Sequence, residues 1–158
     1  MKRHRNETKR RKRTIRIWTM EEAKAATPYI SSVLRSVREH WLQAVVLRQL
    51  VNRMDALSGR PNRKTLIARQ EAERDADRAE TELEAAREEL ADLDVYCLDP
   101  ARGEALIPFL HNDDLAWYVF NLFDSDNFRT WRLHNDGLDV RRPIADALAK
   151  RTVEPRAA

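Results

Sequence analysis

Residues 1 to 13 hold no apolar side chain after Met1, so they have nothing to bury and are expected to be disordered unless bound. The alternation Ile15, Arg16, Ile17 in Thr14 to Trp18 then reads as a short strand. Thr19-Met20-Glu21-Glu22 has capping-box spacing, so a helix is expected to start there and to stop at Pro28. With Thr27 as N-cap and Pro28 in its first turn, a longer helix begins. Ile30, Val33, Val37, His40, Ala44, Leu47, Val51 and Met54 recur on three- and four-residue steps, and Leu34, Trp41, Val45 and Leu50 widen the stripe. That face is broader than a coiled-coil seam needs, which predicts contact with more than one neighbour.

Ser58-Gly59-Arg60-Pro61-Asn62 supplies the Gly and Pro of a helix end and a short connection. A second helix is predicted over residues 63–93, with the heptad seam Ala72, Ala76, Ala79, Leu83, Ala86, Leu90 and Leu93. Small seam residues let two axes approach closely, and a short link favours an antiparallel hairpin. At about 1.5 Å per residue each arm is roughly 45 Å long.

Beyond Leu93 the period changes from helical to two. Val95 to Leu98, Ala105 to Leu110, Leu115 to Phe123 and Phe128 to Leu133 are strand candidates separated by turn residues, with His111-Asn112-Asp113-Asp114 as a hairpin turn. Pro108 suits an edge strand or a bulge. So small a meander cannot stand alone in water, so it must pack on the base of the hairpin. Phe109, Trp117, Phe120, Phe123, Phe128 and Trp131 are the expected contacts, and Pro143 opens a last short helix to Arg151. The fold class is α+β, mainly α: a long antiparallel, coiled-coil-like helical hairpin on a small antiparallel β meander. The domain reading is a basic arm at 1–14, a single domain at 15–151 (hairpin 28–93, β cap 95–134, short helix 143–151) and a tail at 152–158.

Charge divides the same way. The net charge is +3, yet residues 1 to 16 carry nine basic side chains against Glu7 alone, so the arm is +8 and the rest is −5. Residues 69 to 92 hold ten acids and four Arg, whereas 28 to 57 hold four Arg and two acids, so the two helices complement each other in charge. Most acids of the second helix, Glu82 among them, fall on the solvent side of its heptad, with Glu71 to Arg74 and Glu84 to Arg87 as local pairs.

Two stretches carry a resemblance. Trp18-Thr19-Met20-Glu21-Glu22-Ala23 with Pro28 resembles the opening aromatic-Thr-x-x-Glu-Ala-x4-Pro of the bacterial family known as domain of unknown function 2203. Gly103 to Pro108 resembles its Gly-containing link, and Trp131 to Pro143 its closing Trp-His-x-x-Asp-x-Gly-Phe-x-Gly-Arg-x-Pro. The resemblance covers roughly residues 15 to 144 and implies a long helical hairpin followed by strands, with no established activity. In the closing motif Trp131, Gly137, Arg141 and Pro143 hold register, but Arg132 stands at the family's His and Asn135 at its Asp. His134 and Asp136 lie out of register by two and one positions.

Chemistry is sparse. One cysteine, Cys97, makes neither an internal disulfide nor, alone, a zinc site. The four His show no paired ligand spacing, and convergence of His111, His134, Asp113, Asp114, Asp136 and Arg141 on a ligand or metal is a minor alternative to ordinary polar turns. Asp124-Ser125-Asp126-Asn127 fails as a calcium loop because Phe128 and Arg129 follow. There is no nucleophile motif and no phosphate-cradling glycine loop, so an enzyme is not expected, and neither a catalytic residue, a cofactor nor a metal is assigned. His40 in the apolar seam reads as a buried neutral imidazole.

Two groups remain. Lys2, Arg3, Arg5, Lys9, Arg10, Arg11, Lys12 and Arg13 suit sequence-indifferent binding of nucleic acid or another polyanion. The same arm also fits a solubility extension, a misplaced start, or a segment that folds onto the acidic second helix. Trp131, Arg132, His134, Asp136, Arg141 and Arg142 form a candidate polar site, in which an Arg beside an aromatic binds a phosphate or base, or one Arg braces the strand against the acidic helix. A homo-oligomeric or partner-protein scaffold built on the hairpin is the alternative function. No apolar run approaches the roughly 20 residues needed to span a bilayer, and a cytoplasmic location is expected.

Overall fold

The structure, a computed structural model, describes residues 14–148. The expectations for residues 1–13, for the chain beyond Leu148 and for the tail lie outside the described residues. Three helices, α1 (Met20–Asp55), α2 (Arg63–Asp92) and α3 (Ile144–Leu148), accompany five strands: β1 (Tyr96–Asp99), β2 (Glu104–His111), β3 (Asp114–Asn121), β4 (Thr130–Leu133) and β5 (Arg142–Pro143). The strands form one antiparallel sheet in the order β1-β2-β3-β4-β5. The meander is thus longer than expected by β5, whose two residues pair with Thr130 and Trp131.

Thr19 caps α1: its Oγ1 accepts from the Glu22 N–H at 3.2 Å and donates to the Glu22 carboxylate at 3.1 Å. The helix does not stop at Pro28. It continues to Asp55 because Ala23 before the proline and Ile30, Val33 and Leu34 after it are buried in one core. Burying that face outweighs the loss of one backbone bond, which costs about 3 kcal/mol for proline in a helix interior. The expected hairpin of 28–93 therefore begins about two turns earlier, at Met20.

Asn62 caps α2 through its side chain, which accepts from the Thr65 N–H at 2.8 Å. Ala72, Ala76, Ala79, Leu83, Ala86 and Leu90 are buried as the period predicted, and Leu93 is half-buried just past the helix. Ion pairs across the hairpin fix its register. Arg48 of α1 spans Asp77 (2.7 Å) and Glu80 (2.7 Å), and Arg69 of α2 reaches Asp55 at 2.6 Å. The local pairs Glu71 to Arg74 and Glu84 to Arg87 do not form; Arg69 to Glu73 at 3.0 Å is the pair within α2. Such exposed pairs add little to stability, so their effect is alignment.

The sheet lies against only the basal half of the hairpin. Its inner face contributes Ala105, Ile107, Phe109, Ala116, Tyr118, Phe120 and Trp131 to a core with Ile30, Leu34, Val37, Leu83 and Leu90. The outer face carries a smaller cluster of Leu106, Trp117 and Val119, against which Ile15, Tyr96, Leu98 and Leu115 pack. Two aromatic expectations fail here. Trp117 points to the outer face, because it alternates with Ala116 and Tyr118, and Phe123, just beyond β3, is 62% exposed.

Thr14 to Trp18 is not a strand. It contributes one ladder-like bond, Trp18 N–H to the Pro108 carbonyl at 2.8 Å, beyond the reach of β1 along β2. That bond also explains how Pro108 sits within an interior strand: N and C=O of one extended residue point to the same side, so its missing donor faces this edge rather than β3. The β2–β3 turn is Asn112-Asp113 with φ 50° and 67°, the left-handed pair that a two-residue hairpin requires.

Candidate functional site

The closing segment folds into a compact polar knot around Asp136. Its carboxylate accepts two bonds from Arg142, Nε at 2.8 Å and Nη2 at 2.9 Å, and a third from the Leu133 N–H at 2.9 Å. These donors, the Arg142 guanidinium first, hold the carboxyl down at about pKa 2. Arg142 also lies 5.5 Å from the Trp131 ring centre, and the Trp131 Nε1–H donates to the Pro143 carbonyl at 3.0 Å. Arg132, on the outer face opposite Trp117, is only 4% exposed. One guanidinium nitrogen donates to the Asp136 carbonyl, and its Nε has no hydrogen-bond partner.

Arg141 donates to the Leu138 and Val140 carbonyls and reaches the Glu104 carboxylate at 3.4 Å. Neither Arg141 nor Arg142 braces the sheet against the acidic helix; both are held by carboxylates of the β cap. His134 accepts at Nδ1 from the Trp117 Nε1–H at 3.1 Å, which assigns its ring proton to Nε2. His111 instead lies tilted against Trp131 on the inner face, with ring centres 4.5 Å apart. Of the six residues of the candidate polar site, Asp136 gathers Arg132 and Arg142, with Trp131 beside Arg142, whereas His134 bonds to Trp117 and Arg141 to Glu104, so their polar atoms are taken by separate partners rather than pointing into a shared opening. His111 touches the group only through the Trp131 ring, and no group of three or more metal-ligating side chains occurs among the described residues. Glu104 is the partner that sequence reading missed; its pairing with Arg141 spans 37 positions and leaves no local signature.

His40, expected to be buried, is only half-buried, and a carboxylate lies beside it. Glu82, expected on the solvent side of α2, places Oε2 3.2 Å from His40 Nδ1, at ion-pair distance though outside hydrogen-bonding angle. Folding the chain back about Pro61 puts positions 40 and 82 at one level, a signal available from the hairpin itself. Cys97 faces the inner core, and burial pushes its thiol up to about 11, so it is protonated near neutrality. The cavities are shallow: about 510 Å³ at the hairpin tip beside Met54, Leu57, Pro61 and Leu66, and about 720 Å³ along Asp77, Glu80, Glu84 and Glu88.

A family model described as an uncharacterised conserved protein, DUF2203, matches residues 16–144. The chain belongs to the DUF2203 family. The match runs from the root of the arm through the hairpin and β cap to the first residue of α3, so the segment before Arg16 lies outside it. No curated protein and no solved structure matches this DUF2203 chain. Among the described residues, no helix is long and apolar enough to cross a membrane. The eight basic arm residues Lys2, Arg3, Arg5, Lys9, Arg10, Arg11, Lys12 and Arg13 lie outside the described residues. Their attachment point is described: the Arg16 N–H donates to Asp94 at 2.8 Å, the Arg16 guanidinium stacks 3.7 Å over Trp18, and Trp18 Nε1–H donates to the Leu93 carbonyl at 3.1 Å.

Proposed function

We propose that this DUF2203 chain is a non-enzymatic interaction module that holds nucleic acid, free or within a ribonucleoprotein, through its basic N-terminal arm. The observation that carries the reading is the segregation of charge: +8 on residues 1–16, joined to a body of −5. A body of that sign repels phosphates, so attraction concentrates on the arm, where Lys9 to Arg13 places five cations in succession. The firmly anchored root at Arg16 and Trp18 supports the reading, since it couples a bound polyanion to the folded part. Within the β cap, Asp136, Arg141 and Arg142 are already committed to internal partners, which disfavours a reaction or a phosphate site there.

Purification of the native chain with and without nuclease tests the proposal. Nucleic acid is expected to co-purify with the full chain, to disappear on nuclease treatment and to be absent when residues 1–13 are removed. Equal recovery with and without the arm would overturn it.

A second reading, a scaffold acting through the hairpin, is favoured by one observation. The distal half of α1 keeps Val46 and Leu50 exposed at 62% and 39%, and Leu57 in the turn after it is 67% exposed, all beyond the reach of the sheet.

A further inference from the structure

The farther half of the hairpin buries only its own seam, Ala44 and Val51 of α1 against Ala72, Ala76 and Ala79 of α2. Around α1 from that seam, and away from the side on which Leu34 and Trp41 meet the sheet, lie Leu47, Leu50 and Met54, and the turn that follows the helix adds Leu57, whose N–H donates to the Met54 carbonyl at 3.3 Å. Their spacing of three, four and three residues is the period of a seam between helices, not of scattered surface residues. Leu47 and Met54 are half-buried, whereas Leu50 and Leu57 are exposed. The distal part of α1 and the turn after it thus present a second apolar stripe with no partner helix among the described residues.

The order of the stripe is self-complementary. Two copies laid antiparallel about Asn52 bring Leu47 beside Leu57 of the partner subunit and Leu50 beside Met54 of the partner subunit. Charge favours the same orientation. The tip carries Arg53, Arg60, Arg63 and Lys64, and its acid Asp55 is taken by Arg69. Residues 71–89 of α2 hold nine acids against three Arg. In the antiparallel arrangement each basic tip comes level with residues 71–78 of the partner subunit, where four acids outnumber two Arg. A parallel arrangement would instead stack tip on tip and acidic flank on acidic flank.

We infer that the distal hairpin is a self-association surface, on which a second copy of this chain docks antiparallel through Leu47, Leu50, Met54 and Leu57. This rests on the scaffold reading and names its partner. The resulting isologous dimer has two basic arms rooted at opposite ends, because each arm starts beside Trp18 at the base of its own hairpin.

Sedimentation of the full chain over a concentration series tests the association. The expected species has twice the chain's 18.5 kDa, and Leu50→Glu should raise the dissociation constant about tenfold or more while leaving the circular dichroism unchanged. Orientation is read by cross-linking in a Cys97→Ala background. Mixing Leu47→Cys with Leu57→Cys should give a covalent dimer with a short bismaleimide matched to helix axes about 9 Å apart. Either variant alone should not, because like positions then sit roughly 15 Å apart along the axis. Efficient cross-linking of each variant alone would overturn the antiparallel register. A monomer at all concentrations would overturn self-association. If that monomer binds an apolar dye in a manner that Leu50→Glu abolishes, the scaffold reading survives with another occupant; a monomer that binds none sinks both.

Discussion

Replacing Pro28 by Ala probes the least expected feature of the fold, an unbroken helix running through a proline. Pro28 is the ninth residue of α1 and its ring is exposed, so the exchange removes no core contact. Alanine restores the N–H that would bond the Lys24 carbonyl and removes the clash of the ring with the preceding turn. Relative to alanine, an interior proline costs about 3 kcal/mol. Against this, proline restricts the unfolded chain, which stabilises the native state by about 0.4–1 kcal/mol. The net expectation is that Pro28→Ala stabilises the protein by about 2 kcal/mol. For a chain of this size, 1 kcal/mol corresponds to about 2–4 °C, so the midpoint should rise by about 4–8 °C. Thermal unfolding followed by far-ultraviolet circular dichroism measures this, and amide exchange at residue 28 shows whether the new N–H is protected. A midpoint that falls, or an unprotected amide at 28, would refute the reasoning, because it would mean that the surroundings require the ring or that α1 is interrupted there.

Other consequences follow from single sites. Gly103 has φ 65°, and a Cβ placed on it would stand 2.9 Å from Leu122 Cβ, so Gly103→Ala should cost about 2 kcal/mol or more by chemical denaturation. Arg132→Met removes a buried, partly unpaired guanidinium and one bond to the Asp136 carbonyl, so its stability should lie within about 1 kcal/mol of the parent. A large loss in the same denaturation assay would mean that the unpartnered Nε has a structural role. Asp136 titrates below its unfolded value, so its contribution is complete above the ordinary carboxylate range near 4 and is lost as pH falls through about 2. Fluorescence of Trp131 should report opening of the closing loop in that window, and Asp136→Asn should abolish that acid-dependent step.

Much of the hairpin was legible because its determinants are local. The Ala-rich heptad of α2 and the Gly-Pro connection specify which faces meet and where the chain reverses, whatever else surrounds them. Pro28 misled for the opposite reason: a local breaker was overridden by core residues on both sides of it, a tertiary effect invisible in a window of a few residues. Alternation in β3 identified a strand but not which of its faces met the helices. Trp117 and Tyr118 differ by one position and went to opposite faces, and only the buried row Ala116, Tyr118 and Phe120 resolves this. Phe123 falls past the end of β3, where the period no longer applies. The closing motif was legible as a cluster, but its internal pairing was not. Asp136 stands one position from the family's Asp, and here it binds Arg142 six residues on, a loop closure with no fixed spacing rule. The β5 pairing depends on that closure and was likewise missed.

The central claim is that the arm, and not the folded body, holds the polyanion. Its most direct test is the salt dependence of binding to a single-stranded and a duplex oligonucleotide, measured for the full chain and for the chain lacking residues 1–13. If Lys9 to Arg13 contact five phosphates, the logarithm of the binding constant should fall against the logarithm of salt with a slope of about 3.5 for the single strand and about 4.5 for the duplex. The shortened chain should lose that slope together with most of its low-salt affinity. Equal slopes and equal affinities for the two chains would contradict the account.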